Sequence, residues 1–224
     1  YLLFNEGYKA TEGDSLLRED LCDEAIRLAE MLTTHVIGDR PETHALLALM
    51  NFGAARLGSR LDAAGGMLVL AEQDRSQWDH AKIARAMRYL QKSGEGTKVG
   101  CYHIEAGIAA CHCLAPNFAA TDWEQIVHLF DELLKLDDSP LVAMNRAVAI
   151  GQAQGAEAGL ESLRAIKERQ KLDAYYLYHA VEGQLLLERG ERAAAERAFR
   201  RGWELASLKP ERLLLEDKLR QCHR

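Results

Sequence analysis

Between residues 175 and 210, small and aromatic residues stand where two crossing helices need them. Gly183 and Ala195 are small enough to let one helix lie closely on another, Gly190 falls where the first helix must end, and Phe199 and Gly202 follow on the second. Small residues at a helix crossing shorten the interaxial distance, and an aromatic on the second helix then fills the gap to the next pair. That requirement makes a stack of helical hairpins the leading architecture.

The spacing is similar to the tetratricopeptide pattern, with His179 in place of its early tryptophan, Ser207 where proline is common, and Pro210 arriving late. Moving back 35 positions sets Gly190 on Gly155, Ala195 on Leu160, Ala198 on Leu163 and Gly183 on Val148, a degenerate echo of the same unit. A third pair can be drawn from Tyr102 to Leu136, where Ile126, Phe130 and Leu133 keep the spacing. Ser139-Pro140 then opens the next helix as N-cap and first helical residue. The best repeats therefore lie over 140–210. Residues 211–224 read as a capping helix with Glu211, Arg212, Glu216, Asp217, Lys218 and Arg220 on its outer face.

Upstream, the chain is helix after helix. Leu21, Ala25, Leu28, Ala29 and Leu32 fall on one amphipathic face, and Ala45, Leu49 and Phe52 mark a second helix. A glycine-rich excursion over 57–75 holds the short apolar run Met67-Leu68-Val69-Leu70, read as an extended segment or small hairpin. Ser76-Gln-Trp-Asp79 and Asp122-Trp-Glu-Gln125 carry capping-box signals. The expectation is an all-α, right-handed superhelix of about ten helices, forming one domain over 1–224, with 1–20 as its entry.

The charge balance excludes one class of function. With 28 Lys and Arg against 34 Asp and Glu the net charge is −6, whereas a nucleic-acid binder needs cations to displace phosphate counterions. Five cysteines in an odd, uneven set do not form a secreted disulfide framework and point to a reducing cytoplasm. No apolar run approaches the roughly 20 residues of a membrane span. The opening Tyr1-Leu-Leu-Phe4 suggests a longer chain upstream.

The sharpest chemical cluster is Cys101, His103, Cys111, His112 and Cys113. On a continuous helix Cys111 and Cys113 point roughly 200° apart, Cys111 shares the face of Ile104 and Ile108, and CxxC-like pairs are missing. A cytoplasmic helical enzyme or metal-binding domain using Cys101, His103, Cys111 and His112 is the alternative to a binding scaffold. No Walker lysine loop, dinucleotide glycine fingerprint or HExxH helix accompanies it, so no cofactor is expected.

Binding candidates follow from the scaffold. Asn145, Arg146, Tyr176 and His179 fall on first helices of the hairpins, where Asn and Arg can pair with a peptide's carboxylates and backbone. One helical turn cannot bury Tyr175, Tyr176 and Tyr178 together, so at least one should be exposed. Asn5-Glu-Gly-Tyr8 reads as a hinge around a turn glycine, or as a linker. Arg75 precedes a helix and either reaches a partner's carboxylate or ties down the excursion through a buried ion pair.

Several separated motifs in one order carry a family resemblance. Tyr1-Leu-Leu-Phe-Asn-Glu-Gly-Tyr8, Arg18-Glu-Asp-Leu-Cys-Asp-Glu-Ala-Ile-Arg-Leu28, Gln73-Asp-Arg75 with Trp78-Asp79, Ile108-Ala-Ala-Cys-His112 and Asn145-Arg-Ala-Val148 resemble the C-terminal tetratricopeptide-like extension of certain bacterial extracytoplasmic-function sigma factors. The resemblance implies a regulatory domain that contacts the upstream sigma regions and RNA polymerase core, with DNA reached only through those regions. It further implies a small YCII-related protein as outside partner. Asn5, Tyr8, Arg75 and Trp78 lie in its motifs, beside Asn145, Arg146, Tyr176 and His179.

Overall fold

The computed structural model describes residues 1–9, 17–62 and 65–223. Residues 10–16 of the expected entry segment, and Arg224 of the expected capping helix, lie outside them. Among the described residues the protein is all-helical, with eleven α-helices and no β-strand. The chain divides into two compact units, residues 1–61 with 68–122 and residues 62–67 with 123–224, where the sequence had suggested one domain.

The first unit is built around α3 (Pro41–Ala54), which packs against α1 (Leu2–Tyr8), α2 (Glu19–Thr33), α4 (His80–Ser93) and α5 (Cys101–Leu114). From Ala45 to Ala54 it carries no charged residue, and Leu47, Ala48, Met50 and Phe52 are almost wholly buried. A helix that is apolar all round must be covered on every side.

Glycine sets how closely α1 docks. A Cβ at Gly7 would lie 2.7 Å from the Arg18 carbonyl oxygen and 2.8 Å from the Cys22 backbone nitrogen. Asn5-Glu-Gly-Tyr8 is therefore helix, and Gly7 serves a backbone approach in place of the expected hinge or linker. On α2 the buried stripe is Cys22, Ala25, Ile26 and Ala29. Leu28 and Leu32, assigned to the core by spacing, are 44% and 55% exposed. The small residues let α2 settle close to its neighbours, and the leucines lie about 100° around the helix from that stripe.

The 57–75 segment is pinned by short 3-10 turns at Leu57–Ser59 and Leu70–Glu72, with a third turn at Arg75–Gln77. The Leu68 N–H donates to the Arg60 carbonyl at 2.9 Å, the one short extended feature of the expected hairpin described within the unit. Helix α4 begins three residues later than the Ser76 capping signal placed it. Asp79 is its N-cap and accepts from the Lys82 N–H at 2.9 Å, while Asp74 accepts from Ser76 at the turn before.

In the second unit α6 (Trp123–Leu136), α7 (Pro140–Gln154), α8 (Ala156–Arg164), α9 (Tyr176–Glu188), α10 (Arg192–Leu205) and α11 (Lys209–Cys222) each pack on the next. The pair drawn from Tyr102 to Leu136 is divided, since α5 packs on α3 in the first unit and α6 on α7 in the second. Ser139 caps α7 through its hydroxyl oxygen, with Pro140 directly after it, as expected.

The echo at 35 residues is carried by the turns: Gly155 and Gly190 both have left-handed φ, +97° and +84°, which favours glycine. The crossings differ. A Cβ at Gly183 would meet the Phe199 ring at 2.7 Å, so this aromatic packs on the first helix of its own hairpin. In α7–α8 the close approach is not at Val148. A Cβ on Gly159 would come within 2.8 Å of the Gly151 Cα and 2.9 Å of Leu185 from α9.

Two further expectations are corrected. Tyr176 and Tyr178 are 5% and 1% exposed and Tyr175 is half-buried, because the turn at Arg169–Leu172 covers the start of α9 and Arg169 donates to the Tyr178 hydroxyl at 3.0 Å. Glu211 is 2% exposed and not on the outer face of α11. Its carboxylate accepts the backbone N–H groups of Ser207 and Leu208 at 3.2 and 3.1 Å, closing the turn into the helix.

The Gly183 crossing makes a direct prediction. Gly183→Ala should lower stability by about 1–3 kcal/mol, because Phe199 is wholly buried and its ring has nowhere to move. Chemical denaturation should show part of that loss recovered in Gly183→Ala with Phe199→Leu.

Candidate partner-docking groove

A groove of about 590 Å³ opens in the second unit along α6, α7 and α8. Its apolar lining comes from Leu134, Pro140, Ala143, Ile150 and Ile166, and its polar edge from Asp138, Arg146, Glu161 and Lys167. Small residues along α7 and α8, ending in the Gly151–Gly159 approach, hold the two helices close beneath it.

Arg146 is the one predicted site residue that lines this groove. Its Nε donates to Asp131 Oδ1 at 2.6 Å, with both side chains about a third exposed. The pair fixes the guanidinium against α6, so its remaining N–H groups are presented at little entropic cost. The Lys167–Asp138 pair is longer, 3.6 Å, with side chains 83% and 71% exposed, and contributes little stability in water. The groove thus joins an apolar floor to one fixed and one mobile cation, with carboxylates beside both. This is chemistry for a polypeptide segment with apolar side chains and free backbone groups.

The other predicted residues are dispersed. Asn145 is exposed on α7 but lines no part of the groove. Tyr176 is core, 5% exposed. His179 is half-buried, with Nε2 3.0 Å from the Asp173 carbonyl oxygen. In the first unit Asn5 is exposed, and Tyr8 is half-buried between the Phe4 ring and the Arg60 guanidinium, which also donates to the Tyr8 carbonyl.

Arg75 and Trp78 belong to an internal clasp. Arg75 Nη1 donates to the carbonyls of His112 and Ala115 at 2.6 and 2.7 Å, and Nη2 to Thr121 Oγ1 at 3.3 Å. A guanidinium therefore satisfies orphan carbonyls at the C-terminal end of α5, where the helix dipole favours a cation. The excursion is tied down as expected, but through carbonyls and a hydroxyl instead of an ion pair. Trp78 is 3% exposed beneath both Arg75 and Arg56, whose guanidinium carbons lie 4.9 and 5.4 Å from its ring centroid.

The cysteine and histidine cluster is taken up by structure. His103 Nδ1 accepts the Gly100 N–H at 3.1 Å at the start of α5. The Cys113 thiol is pushed up to about 11 by burial, and burial with the nearby Asp122 raises Cys111. Both are held as neutral thiols, poor nucleophiles and poor ligands. Cys101 is half-buried on the first turn. Among the described residues no three His, Cys, Asp or Glu side chains gather as a metal site, and no helix is long and apolar enough to cross a membrane.

Arg56 and Ile166 are the residues that sequence reasoning missed. Arg56 follows α3 with no motif around it, and only the fold sets it over Trp78. Ile166 and Lys167 lie in the irregular stretch after α8, where helical periodicity gives no guide.

Two predictions follow from the clasp. Arg75→Met should cost about 1–3 kcal/mol by leaving the carbonyls at the end of α5 without a donor, read as a lowered denaturation midpoint. The His112 pKa is pushed down to about 4 by burial and then by Arg56 and Arg75. A depressed histidine is neutral when folded while the unfolded chain takes up the proton. Its contribution is therefore complete above pH about 6.5 and is lost as pH falls toward 4. Denaturation between pH 7 and 4.5 should lose roughly 2 kcal/mol through this group, and His112→Gln should remove that part of the slope.

Compared with known proteins, residues 1–94 match the model of a family of unknown function, DUF6596. An uncharacterized protein of Rhizobium meliloti (strain 1021) is 40% identical over 207 residues, covering 92% of this chain and 48% of that protein. The chain thus spans about half the length of the curated relative it matches. No solved structure matches. The likeness to the Rhizobium protein runs through both units, while the family match ends at residue 94 and includes none of α5 to α11.

Proposed function

We propose that this chain is the C-terminal, non-enzymatic regulatory part of a bacterial extracytoplasmic-function sigma factor, acting in the cytoplasm by protein contact. The observation that carries this reading is the ordered set of motifs from Tyr1-Leu-Leu-Phe to Asn145-Arg-Ala-Val148. The groove on α6–α8 supports it by offering an apolar floor with a fixed guanidinium to a polypeptide. The consecutive packing of α6 to α11 fits hairpins wound as a right-handed tetratricopeptide-like superhelix. The net charge of −6 leaves DNA to the upstream sigma regions.

In this reading the groove takes a segment of those upstream regions, of core polymerase or of a small YCII-related protein, and occupancy sets how readily the sigma regions engage a promoter. The experiment is transcription from the target promoter by purified core polymerase and the full-length gene product, with and without residues 1–224. A change on deletion, up for an inhibitor in cis or down for a required contact, is expected. Ser162→Trp, which fills the groove, should reproduce its direction. Equal transcription with and without the domain, in the presence and absence of the small partner, overturns the reading, as does a gene product without promoter-reading helices.

A further inference from the structure

The clasp holds two cations and no carboxylate to neutralise them. Arg56 and Arg75 both lie within 5.4 Å of the Trp78 ring centroid. Arg75 turns its terminal nitrogens to the His112 and Ala115 carbonyls and the Thr121 hydroxyl, all neutral. Among the described residues the only hydrogen bond of the Arg56 guanidinium is from Nε to Gln73 Oε1, long at 3.4 Å. Neither arginine has a carboxylate within ion-pair distance among the described residues. Buried beneath them, the indole Nε1 of Trp78 has no acceptor among the described residues.

Two like charges against one indole ring repel each other. The cation–π contact offsets part of that cost. Burial lowers the His112 pKa, and both guanidinium groups add to that shift. Gln73, itself 8% exposed, holds Arg56 in place by bonding its Nε, while its own Nε2 donates to the Leu68 carbonyl at 3.1 Å. The terminal nitrogens of Arg56 are left as an oriented, half-buried pair of donors.

We propose that Arg56, seated on Trp78 beside Arg75, is a receiving site for a carboxylate supplied from outside this chain. The class is chosen by charge and shape. Both terminal nitrogens of Arg56 are without an acceptor among the described residues, and its planar fork matches a planar carboxylate in bidentate fashion. Arg75 turns both terminal nitrogens toward the end of α5 and Thr121, so the fork open to a ligand is that of Arg56. The carboxylate belongs to a free small acid or to an acidic side chain of a protein, and the site's shared chemistry serves both. This inference does not rest on the transcriptional reading, and its test involves neither promoter nor polymerase.

The test follows Trp78 fluorescence in the 224-residue chain carrying Trp123→Phe and Trp203→Phe, titrated with succinate, a tetraglutamate peptide, inorganic phosphate and chloride at equal ionic strength. The expected result is a saturable change with both carboxylate probes that Arg56→Gln reduces at least tenfold in affinity and Arg56→Lys, lacking the fork, also weakens. Half-saturation by the peptide at a concentration ten times lower than succinate assigns the site to a protein side chain, and the reverse assigns it to a free acid. Thermal unfolding of the chain with all its tryptophans is the second measurement, since a bound carboxylate raises Tm above the chloride control and Arg56→Gln removes that rise. An equal response to chloride, tighter binding of phosphate than of either carboxylate, or binding unchanged in Arg56→Gln overturns the proposal.

Discussion

A helix without a polar face cannot rest at a surface, and α3 is such a helix. Once Ala45 to Ala54 are apolar on every side, the first unit has to supply covers in several directions, and α1, α2, α4 and α5 are those covers. Each approaches by the means its sequence allows. Gly7 lets α1 reach the backbone of α2, Phe4 meets α3 at Gly53, and the Asp79 N-cap starts α4 beside the end of α3, where the Asp79 N–H donates to the Ala55 carbonyl at 2.9 Å. The clasp of Gln73, Arg75 and Trp78 closes the remaining side and terminates α5. What reads as a motif along the chain is, in space, a lock on a central helix.

The second unit solves its burial problem differently. No single helix is enclosed by all the others, and each buries its stripe against the helix before and after it. Glycines bring α7 to α8, and Gly183 admits Phe199 between α9 and α10. A groove runs along α6–α8 with Pro140, Ala143, Ile150 and Ile166 in its lining. An enclosed helix and a lined groove therefore lie in separate parts of one chain.

Helical class, the Ser139-Pro140 start and the two turn glycines were legible because each follows from a local rule about backbone φ, capping or period. The failures share a cause as well. Leu28 and Leu32 obey helical spacing, yet small residues on the adjacent stripe win the close approach. Glu211 looks like a solvated charge until two backbone N–H groups at the preceding turn claim it. Trp78 and Tyr176 look like binding aromatics but are buried, Trp78 in the core with α3, α4 and α5 and Tyr176 in that of the second unit. Of the groove, Arg146 alone could be named in advance, because its partner Asp131 and the wall at Ile166 depend on how three helices come together.

The clasp also sets an order of assembly. Arg75 reaches carbonyls and a hydroxyl 37, 40 and 46 positions further along the chain, whereas the second unit joins helices that are neighbours in sequence. Contacts over such separations cost loop-closure entropy before they return any energy. On a ribosome, the segment around Arg75 and Trp78 emerges well before the end of α5 that it must hold. The Arg75 guanidinium has its full set of acceptors only once Thr121 has been made. The first unit is therefore completed only as synthesis passes into the second.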